Sequence, residues 1–214
     1  KSPYPKEWGD KRGIKVLQPK KLDEEFFETF KEHNIDLSIV VAYGKIIKEE
    51  IINNPKKGTI NIHYSLLPKY RGATPVESAL LNGDSQTGVS IQQMVYKLDA
   101  GDILSKSVVN IDNTICKNEL FELLNKDAQT LLIETIDAIL LNIIKSTPQE
   151  ENSKTMCGKI KKEDGEILLN QDHKNNWNKY RAYQGWPGVF TFVLKSNIKT
   201  RMIIKKAVYK NEQF

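Results

Sequence analysis

The chain has 214 residues, a formal net charge of +5, 39% hydrophobic and 8% aromatic residues, and two cysteines. This length suits one full α/β domain with part of a second, and the apolar content excludes wholesale disorder. No apolar run approaches the roughly 18 residues of a membrane helix, so a soluble, cytoplasmic protein is expected.

Strand-like and helical patterns alternate in the first half, which is typical of parallel βαβ units. Residues 13–18 and 37–42 are predicted as strands, and the apolar character of 37–42 indicates burial on both faces. Asp23 stands at the N-cap of the helix between them, and a helical stretch covers residues 45–53 before Pro55 breaks it.

The following elements would complete an open, mostly parallel, Rossmann-like sheet. They are a strand at 59–64, a helix from Pro75 to Leu81 closed by Asn82-Gly83, strands at 88–95 and 102–109, and a long helix at 118–144. The α/β class therefore follows from the order of the patterns.

The periodic pattern dissolves in residues 146–165, which are rich in polar and charged residues and read as a linker. We predict a catalytic domain at 1–145, the linker at 146–165, and the beginning of a small β-rich domain at 166–214. The last region contains predicted strands at 189–194 and 202–208.

Cysteine and histidine spacing gives no support for a metal site. Cys116 and Cys157 lie far apart, which predicts two reduced thiols. His33, His63 and His173 have no close histidine or cysteine companion. A protein without a bound metal is expected.

The positive charge is concentrated at both ends of the chain. Residues 1–21 hold seven basic and two acidic side chains, and residues 195–210 hold six basic and no acidic ones. These ends are compatible with a nucleic-acid partner, and an ordinary solvated surface explains them equally well. Candidate RNA contacts are Lys11, Arg12, Lys205 and Lys206.

Asn61 and His63 are two apart on a predicted strand, so their side chains point to the same face. Asp99 follows a later strand of the same presumed sheet. An amide, an imidazole and a carboxylate together can catalyse acyl transfer to an amine, by stabilising an oxyanion and moving protons. A structural Asn and His, and a loop-capping Asp, are the alternative interpretation.

The loop at residues 65–75 contains two prolines, which restrict its backbone, and a glycine, and Lys69 and Arg71 bracket a tyrosine in it. These two basic side chains can meet a phosphate or a substrate carboxylate. A solvated basic pair on an exposed loop is the alternative.

Three motifs resemble the 10-formyltetrahydrofolate-dependent formyltransferase family. They are N-I-H-Y-S-L-L-P-K-Y-R-G-A-T-P at 61–75, T-G-V-S-I at 87–91 and L-D-A-G-D at 98–102. Within the family, R-G-A-T-P and L-D-A-G-D are most similar to the methionyl-tRNA formyltransferase branch. The segment 180–188, Y-R-A-Y-Q-G-W-P-G, resembles the start of that branch's C-terminal domain.

The resemblance implies a catalytic set of Asn61, His63 and Asp99, a formyl group taken from 10-formyltetrahydrofolate, and methionyl initiator tRNA as the acceptor. With RNA as the partner, the basic side chains of Lys69 and Arg71 are further candidate RNA contacts. A monomer is expected. Residues expected to contact the folate are Val41, Ala42, Tyr43, Gly44, Ser65, Leu66, Leu67, Pro68, Gly101 and Asp102.

The same resemblance implies that the family's first βαβ unit precedes Lys1 and that most of its C-terminal domain follows Phe214. Two rival functions remain open on the sequence alone. One is the same folate chemistry on a sugar-nucleotide amine, a ribonucleotide amine or water. The other is a non-catalytic RNA-binding module on a degenerate formyltransferase fold.

Overall fold

The computed structural model describes residues 3–170 and 172–209. In chain order its helices are α1 (Tyr4–Asp10), α2 (Glu24–Glu32), α3 (Glu49–Asn53), α4 (Pro75–Asn82), α5 (Lys117–Leu140) and α6 (His173–Ala182). Its strands are β1 (Ser38–Val41), β2 (Thr59–His63), β3 (Arg71–Gly72), β4 (Gln86–Gln93), β5 (Ile103–Asn110), β6 (Met156–Cys157), β7 (Val189–Lys195) and β8 (Ile198–Ile204). Single 3₁₀ turns lie at Glu151–Ser153 and Lys162–Gly165.

The main sheet has the strand order β1-β2-β4-β5, and the α/β prediction is confirmed. β1 and β2 are parallel, as expected for a βαβ unit, whereas β2/β4 and β4/β5 are antiparallel. The parallel part of the described sheet is therefore the β1/β2 pair. β5 runs antiparallel because residues 94–102 turn the chain straight back beside β4.

Two sequence expectations about the first strands are wrong. Residues 13–18 form no strand. β1, the edge strand of the described sheet, is not buried on both faces: Ile39 and Val41 share one face, and their side chains are 41% and 48% exposed. The helix predicted from residue 45 begins only at Glu49.

The core lies between the central strands β2 and β4 and the helices α4 and α5. On α5 the side chains of Leu120, Leu124, Ala128 and Leu131 are buried at helical spacing. Each fully buried leucine stabilises the fold by about 1.5–3 kcal/mol. The helix starts where the Glu119 carboxylate accepts a hydrogen bond from the Cys116 N–H (2.8 Å), in a capping arrangement. The packing of α5 gives β4 and β5 a rigid support.

The region predicted as a linker is hydrogen-bonded to the preceding part of the chain. Thr147 and Ile103 exchange two backbone hydrogen bonds of 2.8 Å each. β6 then pairs in parallel with β3. The chain from Thr147 to Cys157 thus crosses both loops that follow β2 and β4. The division into domains at 145 and 165 stays a prediction.

No helix within residues 3–170 and 172–209 has the length and apolar character needed to cross a membrane.

Helix α6 is attached to the rest of the molecule through a buried arginine. The Arg181 guanidinium is 1% exposed, donating to the Asp112 carbonyl (2.9 Å) and to the Asn178 side-chain oxygen (2.7 Å). The Asn178 amide in turn donates to the Leu81 carbonyl at the end of α4 (3.3 Å). One cation therefore satisfies acceptors from two separate segments.

We predict that Arg181→Ala lowers the free energy of unfolding by about 2–4 kcal/mol, because buried acceptors lose their donor. Urea denaturation monitored by circular dichroism measures the change. Lys174→Ala, at an exposed position of the same helix, is the matched control and should stay within about 0.5 kcal/mol of the parent chain. Equal midpoints for the two variants would contradict the anchoring role of Arg181.

Candidate active site

The three candidate catalytic residues meet at the end of β2. Asn61 and His63 lie on β2, and Asp99 lies in the loop between β4 and β5. Asp99 has a positive φ of 46°, a backbone conformation that non-glycine residues seldom adopt. The His63 and Asp99 side chains are 6% and 12% exposed.

The Asp99 carboxylate accepts hydrogen bonds from three different segments. Its Oδ1 accepts from the side-chain amides of Asn61 (3.4 Å) and Gln92 (3.1 Å). Its Oδ2 accepts from the backbone N–H of Gly72 (2.8 Å). Gln92 reaches this position because it pairs with Asn61 across the β2/β4 register. Donors around both oxygens fix the orientation of the carboxylate.

The His63 ring is oriented by a backbone carbonyl. Its Nε2 lies 2.8 Å from the Tyr70 oxygen, and its Nδ1 lies 3.8 Å from Asp99 Oδ2. Because a carbonyl only accepts, Nε2 must donate, which leaves Nδ1 without a proton in the neutral ring. The Tyr70 carbonyl therefore fixes the tautomer. Asp99 faces the nitrogen that gains a proton.

Burial lowers the pKa of His63, whereas the Asp99 charge and the hydrogen bond to Tyr70 act in the raising direction. Burial is the largest influence, so the imidazole is neutral at neutral pH. A neutral ring beside a carboxylate can take up a proton, because the negative charge of the carboxylate stabilises the resulting imidazolium.

We predict that Asp99→Asn lowers the pKa of His63 further, because the imidazolium loses its neighbouring charge. An NMR titration of the imidazole signals measures the shift, and the exposed His33 and His173 are internal references. Asp102→Asn in the same loop is the control and should move the His63 pKa much less. A His63 titration that is unchanged in Asp99→Asn would contradict the coupling.

Tyr70 and Gly72 shape the loop that holds the histidine. The Tyr70 hydroxyl donates to the Asp84 carboxylate (2.7 Å) and accepts from the Asn82 amide (2.8 Å). Burial raises the pKa of Tyr70 to about 12, so the hydroxyl stays a donor. Gly72 has a φ of 125°, and a Cβ there would overlap the Cys157 carbonyl. Only glycine therefore lets this N–H approach Asp99 while β3 pairs with β6.

The loop at residues 65–68, which is expected to contact the folate, is held in place by hydrogen bonds to side chains of β4 and β5. The Ser90 hydroxyl accepts from the Leu67 N–H (3.0 Å) and donates to the Ser65 carbonyl (2.7 Å). The Lys106 ammonium donates to the Leu67 carbonyl (2.5 Å). Leu66 and Pro68 are partly exposed beside the buried Ser65 and Leu67. The loop is thus a fixed wall, and its contact with a folate stays a prediction.

A cleft of about 440 Å³ opens beside the Asp99 loop. Its walls are Ala100, Gly101 and Asp102 from the loop, Gln93, Val95 and Leu104 from the adjoining strand ends, and Ile144 and Ser146 after α5. Of the expected folate residues, only Gly101 and Asp102 line it. The other group, Val41, Ala42, Tyr43 and Gly44, lies exposed at the end of β1.

The candidate RNA contacts divide into two classes. Lys11, Arg12, Lys69, Lys205 and Lys206 are exposed, and the Arg12 guanidinium lies 4.0 Å from the centre of the Trp8 ring. Arg71, the remaining candidate, is only 1% exposed. The expectation that Arg71 meets RNA is therefore corrected: β3 buries its side chain against the segment that follows α5.

Arg71 belongs to an ion cluster around Glu151. The Glu151 carboxylate contacts the Arg71 guanidinium (2.8 Å) and the ammonium groups of Lys154 (2.9 Å) and Lys97 (3.2 Å). Hydrogen bonds from Lys154, Arg71 and Lys97 lower the pKa of Glu151 from an ordinary 4.5 to about 2. The carboxylate is thus ionised over the whole physiological range.

Because the folded-state pKa of Glu151 is depressed, its contribution to stability is present above its ordinary pKa and is lost as the pH falls through the folded value near 2. We predict that Glu151→Gln unfolds at lower urea concentration than the parent chain at pH about 7, and that the difference vanishes at pH about 2. Urea midpoints measured across this range test it. A difference independent of pH would contradict the ionic origin, and Glu150→Gln is the control.

Four residues of this site were not predicted from the sequence: Gln92, Tyr70, Gly72 and Gln149. The side-chain nitrogen of Gln149 donates to the Asp99 carbonyl (2.9 Å). Gln92 gave no distinctive signal, because its strand, Q-T-G-V-S-I-Q-Q, is polar at most positions and the burial of Gln92 appears only in the structure. Gln149 gave none, since it lies in a polar stretch that resembles a linker.

Among residues 3–170 and 172–209, no cluster of three or more His, Cys, Asp or Glu side chains is arranged to hold a metal ion.

Comparison with known proteins shows which family the sequence matches. Residues 5–136 match the formyl transferase family, and residues 159–214 match the formyl transferase C-terminal domain. A methionyl-tRNA formyltransferase of Sulfurihydrogenibium sp. is 39% identical over 196 residues, and one of Staphylococcus aureus is 34% identical over 190 residues. These alignments cover 91% and 88% of this chain, which spans 63% and 61% of the two relatives.

Solved structures share the fold at low sequence identity. A sugar N-formyltransferase from Shewanella sp. superposes with a TM-score of 0.73 at 19% identity, covering 94% of this chain and 80% of that one. HypX from Aquifex aeolicus, solved in complex with tetrahydrofolic acid, gives a TM-score of 0.71 at 20% identity, covering 89% of this chain and 33% of that one. The predicted formyltransferase fold is thereby confirmed, and the chain belongs to the formyl transferase family.

Proposed function

We propose that the protein transfers a formyl group from 10-formyltetrahydrofolate to the α-amino group of methionyl initiator tRNA. The observation that carries this proposal is the Asp99 carboxylate, which accepts from the Asn61 amide at 3.4 Å and faces His63 Nδ1 at 3.8 Å. An amide donor, a proton acceptor and a fixed negative charge are the groups that acyl transfer to an amine requires.

The roles of the three side chains follow from their contacts. When bound, 10-formyltetrahydrofolate supplies the formyl carbon. Asn61 keeps one amide hydrogen free beside its bond to Asp99, and this hydrogen can stabilise negative charge on the formyl oxygen. His63 Nδ1 can take the proton of the attacking amine. Asp99 stabilises the imidazolium until Nδ1 passes the proton to the departing nitrogen.

Asp99 is the less suitable first proton acceptor of the two. Both of its oxygens already accept hydrogen bonds, two on Oδ1 and one on Oδ2. His63 Nδ1 has no hydrogen-bond donor among the described residues, and its lone pair is free in the neutral ring. We therefore propose that His63 moves the proton while Asp99 supplies charge.

The cleft beside the Asp99 loop suits one end of a folate. Its volume of about 440 Å³ lies in the range of small-molecule sites, and it combines apolar walls with the Asp102 carboxylate and the Ser146 hydroxyl. Gly101 lets the loop pack closely against the end of β4, because a side chain there would overlap the Gln93 carbonyl. HypX, a structural neighbour, was solved with tetrahydrofolic acid.

The choice of acceptor is supported by the two relatives, both methionyl-tRNA formyltransferases. The exposed basic residues Lys11, Arg12, Lys69, Lys205 and Lys206 are suited to phosphate contacts, which set RNA affinity more than sequence choice. Because the proposed acceptor takes part in translation initiation, we propose that the protein acts in the cytoplasm.

We predict that Asn61→Ala, His63→Ala and Asp99→Ala each reduce kcat by about 10²–10⁴-fold, because each removes one group that acts in the transition state. The assay combines the full protein, 10-formyltetrahydrofolate and purified methionyl initiator tRNA, and measures formylmethionyl-tRNA. Circular dichroism confirms that each variant is folded. Asn53→Ala, at a helix end away from these three residues, is the control.

A parallel reaction without tRNA measures folate hydrolysis. Folate turnover without formylated tRNA would contradict the acceptor and redirect the search to a small amine or water. No turnover under either condition would contradict the enzymatic proposal and favour an RNA-binding module. Normal turnover in a single variant would remove that residue from the mechanism.

A further inference from the structure

We propose that Gln149 is a positioning residue that holds Asp99 in its catalytic place. The effect on catalysis rests on the proposed function, whereas the contacts of Gln149 do not. Gln149 lies 50 residues beyond Asp99, in the segment predicted as a linker. Its side-chain nitrogen donates to two carbonyls of the Asp99 loop, those of Asp99 (2.9 Å) and Gly101 (2.7 Å).

The Asp99 loop needs an external hold. Asp99 itself has a positive φ of 46°, which an aspartate does not favour without support from its surroundings. The preceding Tyr96 and Leu98 are 62% and 60% exposed, so little apolar packing restrains the loop. Two hydrogen bonds to its backbone, on either side of Ala100, restrain this turn directly.

Gln149 also reaches the carboxylate indirectly. Its side-chain nitrogen is 3.3 Å from the Gln92 oxygen, and the Gln92 nitrogen donates to Asp99 Oδ1 at 3.1 Å. The same amide therefore contacts the backbone of the loop and the residue that orients its carboxylate. A displacement of Gln149 would loosen both.

Arg71 fixes which way the Gln149 amide points. The buried Arg71 donates from Nε to the Gln149 side-chain oxygen (3.0 Å) and from Nη1 to Glu151 (2.8 Å). Because a guanidinium only donates, the Gln149 oxygen must face it and the nitrogen must face the loop. A glutamate at position 149 would keep the contact with Arg71 and lose both donations to the loop.

The backbone around Gln149 is anchored on both sides. Thr147 exchanges hydrogen bonds with Ile103, and the Thr155 carbonyl accepts from the Arg71 N–H at 2.9 Å. These anchors do not involve the Gln149 side chain. Substitutions there can therefore release the Asp99 loop while the segment itself stays docked.

The test measures amide hydrogen exchange by NMR in Gln149→Glu and Gln149→Met. The Gly72 N–H donates to Asp99 Oδ2, so its protection reports whether the carboxylate is in place. We expect its exchange to accelerate at least about tenfold in both variants, while the Arg71 N–H, bonded to Thr155, stays protected. Asn152→Asp makes the same amide-to-carboxylate change at an exposed position nearby and should alter neither amide.

Kinetics give the second measurement. We expect kcat for formyl transfer to fall about 10–100-fold in both variants, with a much smaller change in the KM for tRNA, because a small displacement of a reacting group costs rate. Unchanged Gly72 exchange would overturn the inference whatever the activity. Acceleration of both the Gly72 and Arg71 amides would also overturn it, because Gln149 would then only anchor its own segment.

The two proposals fail separately. If the parent protein formylates nothing while the Gly72 amide responds to Gln149, the proposed function fails and the hold of Gln149 on Asp99 remains. If the parent is active and the exchange rate of the Gly72 amide does not change in the Gln149 variants, the proposed function stands and the positioning role of Gln149 fails.

Discussion

The arrangement of the site depends on one buried carboxylate and the donors that surround it. Asp99 accepts from β2 through Asn61, from β4 through Gln92 and from β3 through the Gly72 N–H. A charge that is 12% exposed is costly to bury unless it is hydrogen-bonded. The three segments are consequently held in one relative position, because displacement of any of them would leave the carboxylate partly unpaired.

Helix ends could be predicted from short stretches of the sequence. α4 ends at Gly83 in the left-handed conformation, as Asn82-Gly83 indicated, and Asp23 caps α2 by accepting from the Phe26 N–H. These features depend on neighbours in sequence, where the physics is short-ranged. Strand pairing is not local. The antiparallel course of β4 beside β2, the exposed edge of β1 and the missing strand at 13–18 depend on which segments lie alongside.

The candidate site also has a part that the sequence predicts and a part that depends on the pairing of distant segments. Asn61, His63 and Asp99 could be proposed because two residues share a strand face and a motif named the third. The hydrogen-bond partners of these residues could not be predicted. The Gln92 contact depends on the β2/β4 register, and the Tyr70 contact is made by a backbone carbonyl, which every residue type has. Arg71 was misassigned to RNA because its burial depends on β6, which the sequence presents as part of a polar linker.

The segment from Thr147 to Cys157 crosses the loops that follow β2 and β4, and this has a consequence for biosynthesis. Its contacts join residues 44 to 87 positions apart, from Ile103–Thr147 to Tyr70–Cys157. A ribosome delivers the chain from the N-terminus, so Asn61, His63 and Asp99 all emerge well before Gln149. Until that segment has been synthesised, the nascent chain carries the three candidate catalytic side chains without the hydrogen bonds from Gln149 to the Asp99 loop. The Asp99 loop therefore gains these hydrogen bonds only after residue 149 has been synthesised.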